Sequence, residues 1–297
     1  MNETLIVDIG GTKTNLAFLT SSNNDIKILS SHIFPTNSKP ASQIEEISNH
    51  VSKMGYKTQS LSLSLPGVWS SNGVLLESNN LKNWLGYEFI NNLKQALNIK
   101  DCIWETDVIC GALGEYHYGA GTGQDQSPGN SLDNSLLYLN LGTGIGAALI
   151  NNGKPFKSKS HLTLRMQKLL LPIEDELTSA TDLLSGNGLL KSTKYSSIEE
   201  LYNLYKKGEP ETYEIILKSQ LQLSCWIINL FYLFAPEVIV LNGGLTYDWT
   251  VLCEEAIDIA NEELNNQVKI VPGSLKEQAP IYGAYVNSTN TICHSER

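Results

Sequence analysis

Two stretches of this chain share one unusual grammar. "LIVDIGGTKTNLAFL" (5–19) and "LYLNLGTGIGAALI" (137–150) each read as an apolar strand with one polar residue inside it, a glycine-rich turn, and a second apolar strand. A tight hairpin needs only about two residues that tolerate positive φ. Glycine also lets a backbone come close to a ligand, because it has no Cβ. Either copy alone is a plain turn or a phosphate cradle. Together they predict a duplicated architecture, in which two facing hairpins hold a polyphosphate between two lobes through backbone N–H groups. The polar residue of the first copy is Asp8, and that of the second is Asn140. A carboxylate inside an apolar strand is costly without a partner. A hydrated Mg²⁺ on a nucleotide would be such a partner.

The rest of the chain alternates strand and helix patterns, which defines an α/β fold class. Strands are expected near 26–34, 60–66, 73–77, 101–105, 237–242 and 268–271. Helices are expected near 41–54, 87–98, 107–118, 175–190, 197–206, 209–234 and 248–265. "TGQDQSPGNSLDNS" (122–135) is polar, rich in turn formers and expected to be a surface loop at a lobe boundary. The chain has 297 residues, enough for one large domain or two smaller ones. Its formal net charge of −10 argues against a nucleic-acid partner, because phosphate backbones are bound by clustered Lys and Arg. No apolar run approaches the roughly 20 residues of a membrane helix. The longest, "CWIINLFYLFAPEVIVL", is interrupted by Pro236 and Glu237. The N-terminus "MNETLIVDIGG" has no basic region before its apolar run and does not read as a secretory signal. Cys102, Cys110, Cys225, Cys253 and Cys293 are odd in number and widely spaced, so neither a disulfide framework nor a CxxC metal site is expected. Reduced thiols in a cytoplasmic protein are the expectation.

Five segments in order resemble the ROK family of sugar kinases and repressors. They are "DIGGTKTNLAFL", "LPGVWSSNGVLLESNNLKNWLG" (65–86), "ETDVICGALGEYHYGAG" (105–121), "LNLGTGIGAALINNGKP" and "APEVIVLNGGL" (235–245). The resemblance covers nearly the whole chain. It implies the two-lobed ribonuclease-H-like fold of actin and the hexokinases. A small lobe of 1–116 plus 285–297 would carry the first phosphate hairpin and the catalytic Asp. A large lobe of 117–284 would carry the second hairpin and the adenosine segment. ATP and Mg²⁺ are implied as cofactors. Asp8, Gly10, Gly11, Thr12, Lys13, Gly142, Thr143, Gly144, Gly243 and Gly244 would hold the nucleotide, with Asp8 reaching the metal through water. Asp107 matches the family's catalytic base, with Thr106 where the family has Asn. An Asp at a strand-to-helix junction can accept a sugar hydroxyl proton, and it can also simply cap the helix. Gly67 and Asn80 match substrate positions, and Asn79 competes with Asn80 for that role.

The sequence also departs from its relatives. The segment "KSKSHL" (157–162) keeps His161 but has Ser158 where the family's sugar-gripping Glu stands. "SATDLLSGNGL" (179–189) has Thr181 where the related glucokinase branch has another such Glu. The family's zinc cluster is absent, so no structural zinc is expected. A carboxylate orients a hydroxyl more strongly than a neutral Ser or Thr, so hexose recognition should be weakened or redirected. The expected activity is phosphorylation of a hexose or hexose-like hydroxyl. A non-catalytic sugar or nucleotide sensor, or a kinase for an amino sugar or sugar-containing metabolite, stands beside it. The fold starts at Asp8, ahead of which no helix-turn-helix is expected. The apolar helix 225–234 is either a homodimer interface or buried core.

Overall fold

The computed structural model describes residues 3–22, 25–122, 135–157, 164–173, 176–191 and 193–295. They form two compact units, one within Met1–Tyr118 and Gln278–Arg297, the other within Gly119–Gly123 and Ser131–Glu277.

The first unit contains β1 (Thr4–Ile9), β2 (Lys13–Ser22), β3 (Asp25–Pro35), α1 (Pro40–Met54), β4 (Ser60–Leu65), β5 (Val68–Trp69), β6 (Leu75–Glu77), α2 (Phe89–Leu97), β7 (Asp101–Thr106) and α3 (Asp107–Tyr118). The second holds β8 (Ser135–Leu141), β9 (Ile145–Asn151), β10 (Lys154–Pro155), β11 (Leu170–Ile173), β12 (Glu176–Ser179), α4 (Ala180–Leu184), α5 (Gly186–Lys191), α6 (Ile198–Lys206), α7 (Pro210–Phe234), β13 (Val238–Asn242), α8 (Trp249–Glu263) and β14 (Lys269–Pro272). The chain then returns to the first unit as α9 (Ala279–Ser295).

The repeat seen in the sequence extends to whole sheets. The first unit's sheet has the order β3-β2-β1-β4-β7, and the second unit's has β10-β9-β8-β13-β14. In each, the first two strands form the antiparallel glycine hairpin and a third pairs antiparallel to it, while the last two lie parallel to the first. In open sheets with parallel strands, ligands bind beyond the carboxyl ends of those strands. Both glycine turns lie there.

Period-two alternation assigns the faces of the first sheet. Leu5, Val7 and Ile9 of β1 and Leu61, Leu63 and Leu65 of β4 enter one core, with Phe18, Trp84 and Phe89. Each such side chain contributes about 1.5–3 kcal/mol on full burial. The opposite face carries Ile6 and is covered by Ile281, Ala284 and Tyr285 of α9. Ser62 is also buried on that side, donating to the Ala284 carbonyl at 2.7 Å. Helix α9 in turn fixes α3. A Cβ on Gly283 would sit 1.6 Å from the Cys110 carbonyl oxygen, so the two helix backbones touch at a point only glycine permits. Asp107 is the first residue of that clamped α3.

The short strands β5, β10 and β11 lie outside the sequence expectation, and two longer segments also differ from it. The helix expected at 175–190 begins as a strand: β12 pairs antiparallel with β11, and helix starts only at Ala180. Ser179 caps it by accepting from Asp182 N–H, and Ser185 separates α4 from α5. The second is α9, which the sequence reading did not anticipate. It is buried around most of its first half, from Ala279 to Ser288, and so shows no single apolar stripe.

Candidate active site

In the first unit three parallel strands end together. Asp8 lies next to last in β1, Ser64 is its register partner in β4, and Asp107 follows β7 directly. Ser64 Oγ donates to Asp8 Oδ1 at 2.6 Å. Burial pushes the Asp8 carboxyl up to about 7; the Ser64 bond opposes the shift and the negative charge of Asp107 adds to it. Burial likewise raises Asp107 to about 6, against the hydrogen bond its Oδ1 accepts from Val108 N–H at 2.8 Å. Asp107 thus accepts a hydrogen bond from an N–H in the first turn of its own helix and is at the same time a carboxylate of raised basicity. Cys110, one turn further along α3, is buried, and desolvation beside these acids drives its thiol well above the ordinary range. The Thr106 hydroxyl is buried and has no hydrogen-bond partner among the described residues.

The first glycine turn follows Asp8 along the chain, after Ile9. Gly10 N–H donates to the Lys13 carbonyl at 2.8 Å and closes the turn. A Cβ on Gly11 would lie 2.7 Å from Asn80 Cβ, so the Asn80 side chain packs directly on that glycine. Of the two candidate asparagines, Asn80 is thus the one joined to the hairpin. Thr12 and Lys13 are exposed at the tip. Gly67 has φ +93°, and a Cβ there would meet the Glu77 carbonyl at 2.3 Å, so β5 and β6 demand glycine for packing reasons.

In the second unit Gly142, Thr143 and Gly144 form the matching turn. Gly142 N–H donates to the Gly144 carbonyl at 2.9 Å. The start of α5 holds the turn from behind: Gly186 N–H donates to the Gly142 carbonyl at 2.8 Å. Next to it, Gly243 follows β13 with φ +99°, and a Cβ there would strike the Leu141 carbonyl at 2.4 Å. A Cβ on Gly244 would meet nothing within 4 Å. A cavity of about 610 Å³ beside these turns is lined by Gly142, Thr143, Asn187, Tyr202, Gly244 and Asp248 among others. Tyr202 closes one wall, donating to the Leu245 carbonyl at 3.4 Å. Thr181, in α4, turns its hydroxyl to the Gln167 carbonyl at 3.0 Å. Ser158 and His161 lie outside the described residues.

Sequence reasoning missed Ser64 and the α5–α6 wall of the cavity. The alternation "SLSLSL" reads locally as a strand with a solvent-facing serine side, so it gave no signal for Ser64. Nothing local marks the α5–α6 wall, because it comes from separate helices.

The two sheets and their hairpins are those of the actin/hexokinase-type ATPase fold, as found in the solved ROK hexokinase of Thermus thermophilus, which superposes with a TM-score of 0.80 at 20% identity over 98% of this chain and 99% of that one. The ROK family model matches residues 4–163 and 179–288, and the chain belongs to the ROK family. An uncharacterised protein of Clostridium perfringens is 30% identical over 95% of this chain and 96% of its own length. A ROK glucokinase of Streptomyces griseus, solved with glucose and AMPPNP, has a TM-score of 0.75 at 17% identity, covering 97% of this chain and all of that one. A xylose repressor of Bacillus spizizenii is 21% identical over 75% of this chain and 59% of its own. The family thus includes sugar kinases and repressors. Among the described residues, no helix is long and apolar enough to cross a membrane.

Proposed function

We propose that this protein is an ATP-dependent kinase that phosphorylates a hydroxyl of a hexose or hexose-like sugar. The observation that carries the reading is Asp107. Its carboxyl stands at a strand-to-helix junction beside Asp8, raised to about 6. Such a group is mostly ionised at neutral pH and is a stronger base than an ordinary carboxylate. It can accept a sugar hydroxyl proton as that oxygen attacks phosphorus.

The residues fit a magnesium nucleotide. Asp8 is a carboxylate whose burial is opposed by one hydroxyl, and a cation reached through water would favour its charged form. Gly142, Thr143 and Gly244 border a cavity large enough for a nucleoside, and Gly144 and Gly243 belong to the same two turns. Gly10, Gly11, Thr12 and Lys13 would take the phosphate end. Bound Mg²⁺–ATP supplies the phosphoryl group and offsets its developing charge. Asn80, Gly67 and Thr106 would frame the acceptor beside Asp107, with Ser158, His161 and Thr181 as further contacts. The kinship to a solved glucokinase supports the sugar class. The absence of two expected carboxylates supports an acceptor other than plain glucose, and the α7 helix remains a candidate homodimer face. Within 225–234, exposed Tyr232 and Leu233 support that reading, while Trp226, Ile227 and Leu230 of the same stretch are core.

A coupled ADP-release screen over hexoses, N-acetylhexosamines and polyols tests the proposal. Turnover on one of them, lost in Asp107→Asn, is the expected result. A folded protein that binds nucleotide and turns over none of them would favour the sensor reading instead.

A further inference from the structure

Behind the first glycine turn runs a buried chain of polar side chains that the catalytic reading does not use. Gln43 of α1 and Thr14 of β2 are fully buried. Gln43 Oε1 accepts from Asn37 N–H, and its Nε2 donates to Thr14 Oγ1 at 2.9 Å. Thr14 Oγ1 lies 2.9 Å from Thr36 Oγ1, and Thr36 Oγ1 donates to the Gly10 carbonyl at 2.9 Å. The backbone closes the same junction, with Thr36 N–H donating to the Thr12 carbonyl at 3.0 Å.

The direction of every proton in this chain follows from donor counting. Asn37 N–H can only donate, so the Gln43 atom facing it is oxygen and the other is the amide nitrogen. A hydroxyl has one proton. Thr36 gives its proton to the Gly10 carbonyl, so it must accept from Thr14. Thr14 can do this because Gln43 already donates to it. The result is a one-way relay from Gln43 through Thr14 and Thr36 to the Gly10 carbonyl.

That carbonyl belongs to the Gly10–Gly11 peptide, which is trans, as are all described peptides. In a trans peptide the C=O and the following N–H point in opposite directions. Pinning the Gly10 carbonyl inward therefore turns the Gly11 N–H away from the relay. A peptide between two glycines has no Cβ to stop it from flipping, and flipped, it would present a carbonyl oxygen in place of a donor. The second hairpin has the same logic with another device: the Gly142 carbonyl is held back by Gly186 N–H.

We propose that Gln43, Thr14 and Thr36 are positioning residues that lock the Gly10–Gly11 peptide with its N–H presented to the phosphate end of the donor. The inference rests on the nucleotide reading given above. The experiment is calorimetry of a non-hydrolysable ATP analogue and of adenosine with wild type, Thr36→Val and Thr36→Ser. Thr36→Val is expected to weaken the analogue about tenfold, the worth of one well-made hydrogen bond, and to leave adenosine binding within about twofold. Thr36→Ser, which keeps the hydroxyl, should restore the analogue. Unchanged analogue binding in folded Thr36→Val, equal losses for both ligands, or no rescue by serine each overturn the inference alone. A wild type that binds no analogue overturns the nucleotide reading itself. If Thr36→Val does not fold, the amide signal of Gly11 in ¹⁵N-glycine-labelled wild type decides. It must move downfield on adding the analogue, and an unmoved signal overturns the inference.

Discussion

Replacing Ser64 by alanine removes one hydroxyl and nothing else of size, yet under the proposed kinase reading it should make the magnesium dependence of turnover strongly pH-dependent. Ser64 donates to Asp8 at 2.6 Å, and that bond is what holds the carboxyl down against burial and the charge of Asp107. A hydrogen bond to a charged group contributes about 1.5–3 kcal/mol. One pKa unit corresponds to about 1.36 kcal/mol, so the loss should lift Asp8 by about one to two units from its value of about 7. At pH 7 the ionised fraction then falls from about one half to between about a tenth and a hundredth. A cation that needs the carboxylate charged should bind about 5- to 50-fold more weakly. The assay is initial rate against Mg²⁺ at saturating nucleotide and acceptor, at pH 7 and pH 9. Ser64→Ala should need about that much more Mg²⁺ at pH 7, and the gap to wild type should narrow sharply at pH 9, where the carboxyl ionises again. An unchanged Mg²⁺ midpoint at pH 7, or a gap that persists at pH 9, would refute the reasoning.

Other outcomes follow from the same carboxylates. Asp107→Asn should keep nucleotide binding and lose at least about a hundredfold in turnover, the usual worth of a positioned base; near-normal turnover would leave Asp107 as a helix cap only. In wild type at saturating Mg²⁺ and nucleotide, which hold Asp8 ionised, the acid limb of kcat/KM for the acceptor should have its midpoint near 6, the raised value of Asp107, whereas an ordinary carboxylate would place it near 4. Asp8 binds its proton more tightly folded than unfolded, so the stability it confers is full below about 3.8 and lost as pH rises through about 7. Metal-free Asp8→Asn should therefore melt higher than wild type at pH 8 and no higher at pH 3.5, and an equal difference at both would argue against a buried titrating Asp8. Two lost charge-assisted bonds at Ser158 and Thr181 should weaken glucose by roughly a hundredfold or more, giving a KM well above millimolar, with improvement in Ser158→Glu, Thr181→Glu. A sub-millimolar glucose KM in wild type would show that other groups, such as Asn80, carry recognition.

The sequence by itself determined the features written in local pattern. Two glycine turns between apolar strands are legible because strand, turn and strand are contiguous, and they stand in the structure at β1–β2 and β8–β9. The strand-to-helix step at Asp107 is legible for the same reason, and so are α6, α7 and α8, whose apolar pattern lies within one segment, with Ser197 capping α6 and Pro210 opening α7. Only the tertiary structure decided what depends on distant partners. The serine face of β4 reads locally as a solvent face; it is buried because α9 covers it from 222 residues away, through the bond from Ser62 to Ala284. The first residues of the expected helix 175–190 became a strand because β11 offered them a ladder that local propensity does not encode. The relay behind Gly10 joins Gln43 to Thr14 across 29 residues, and Thr36 to Gly10 across 26. A hydroxyl's choice of partner is fixed only when every neighbouring donor and acceptor is in place. For that reason the two glycine turns could be read from sequence, while the hydrogen-bonded groups behind the first of them could be found only in the folded chain.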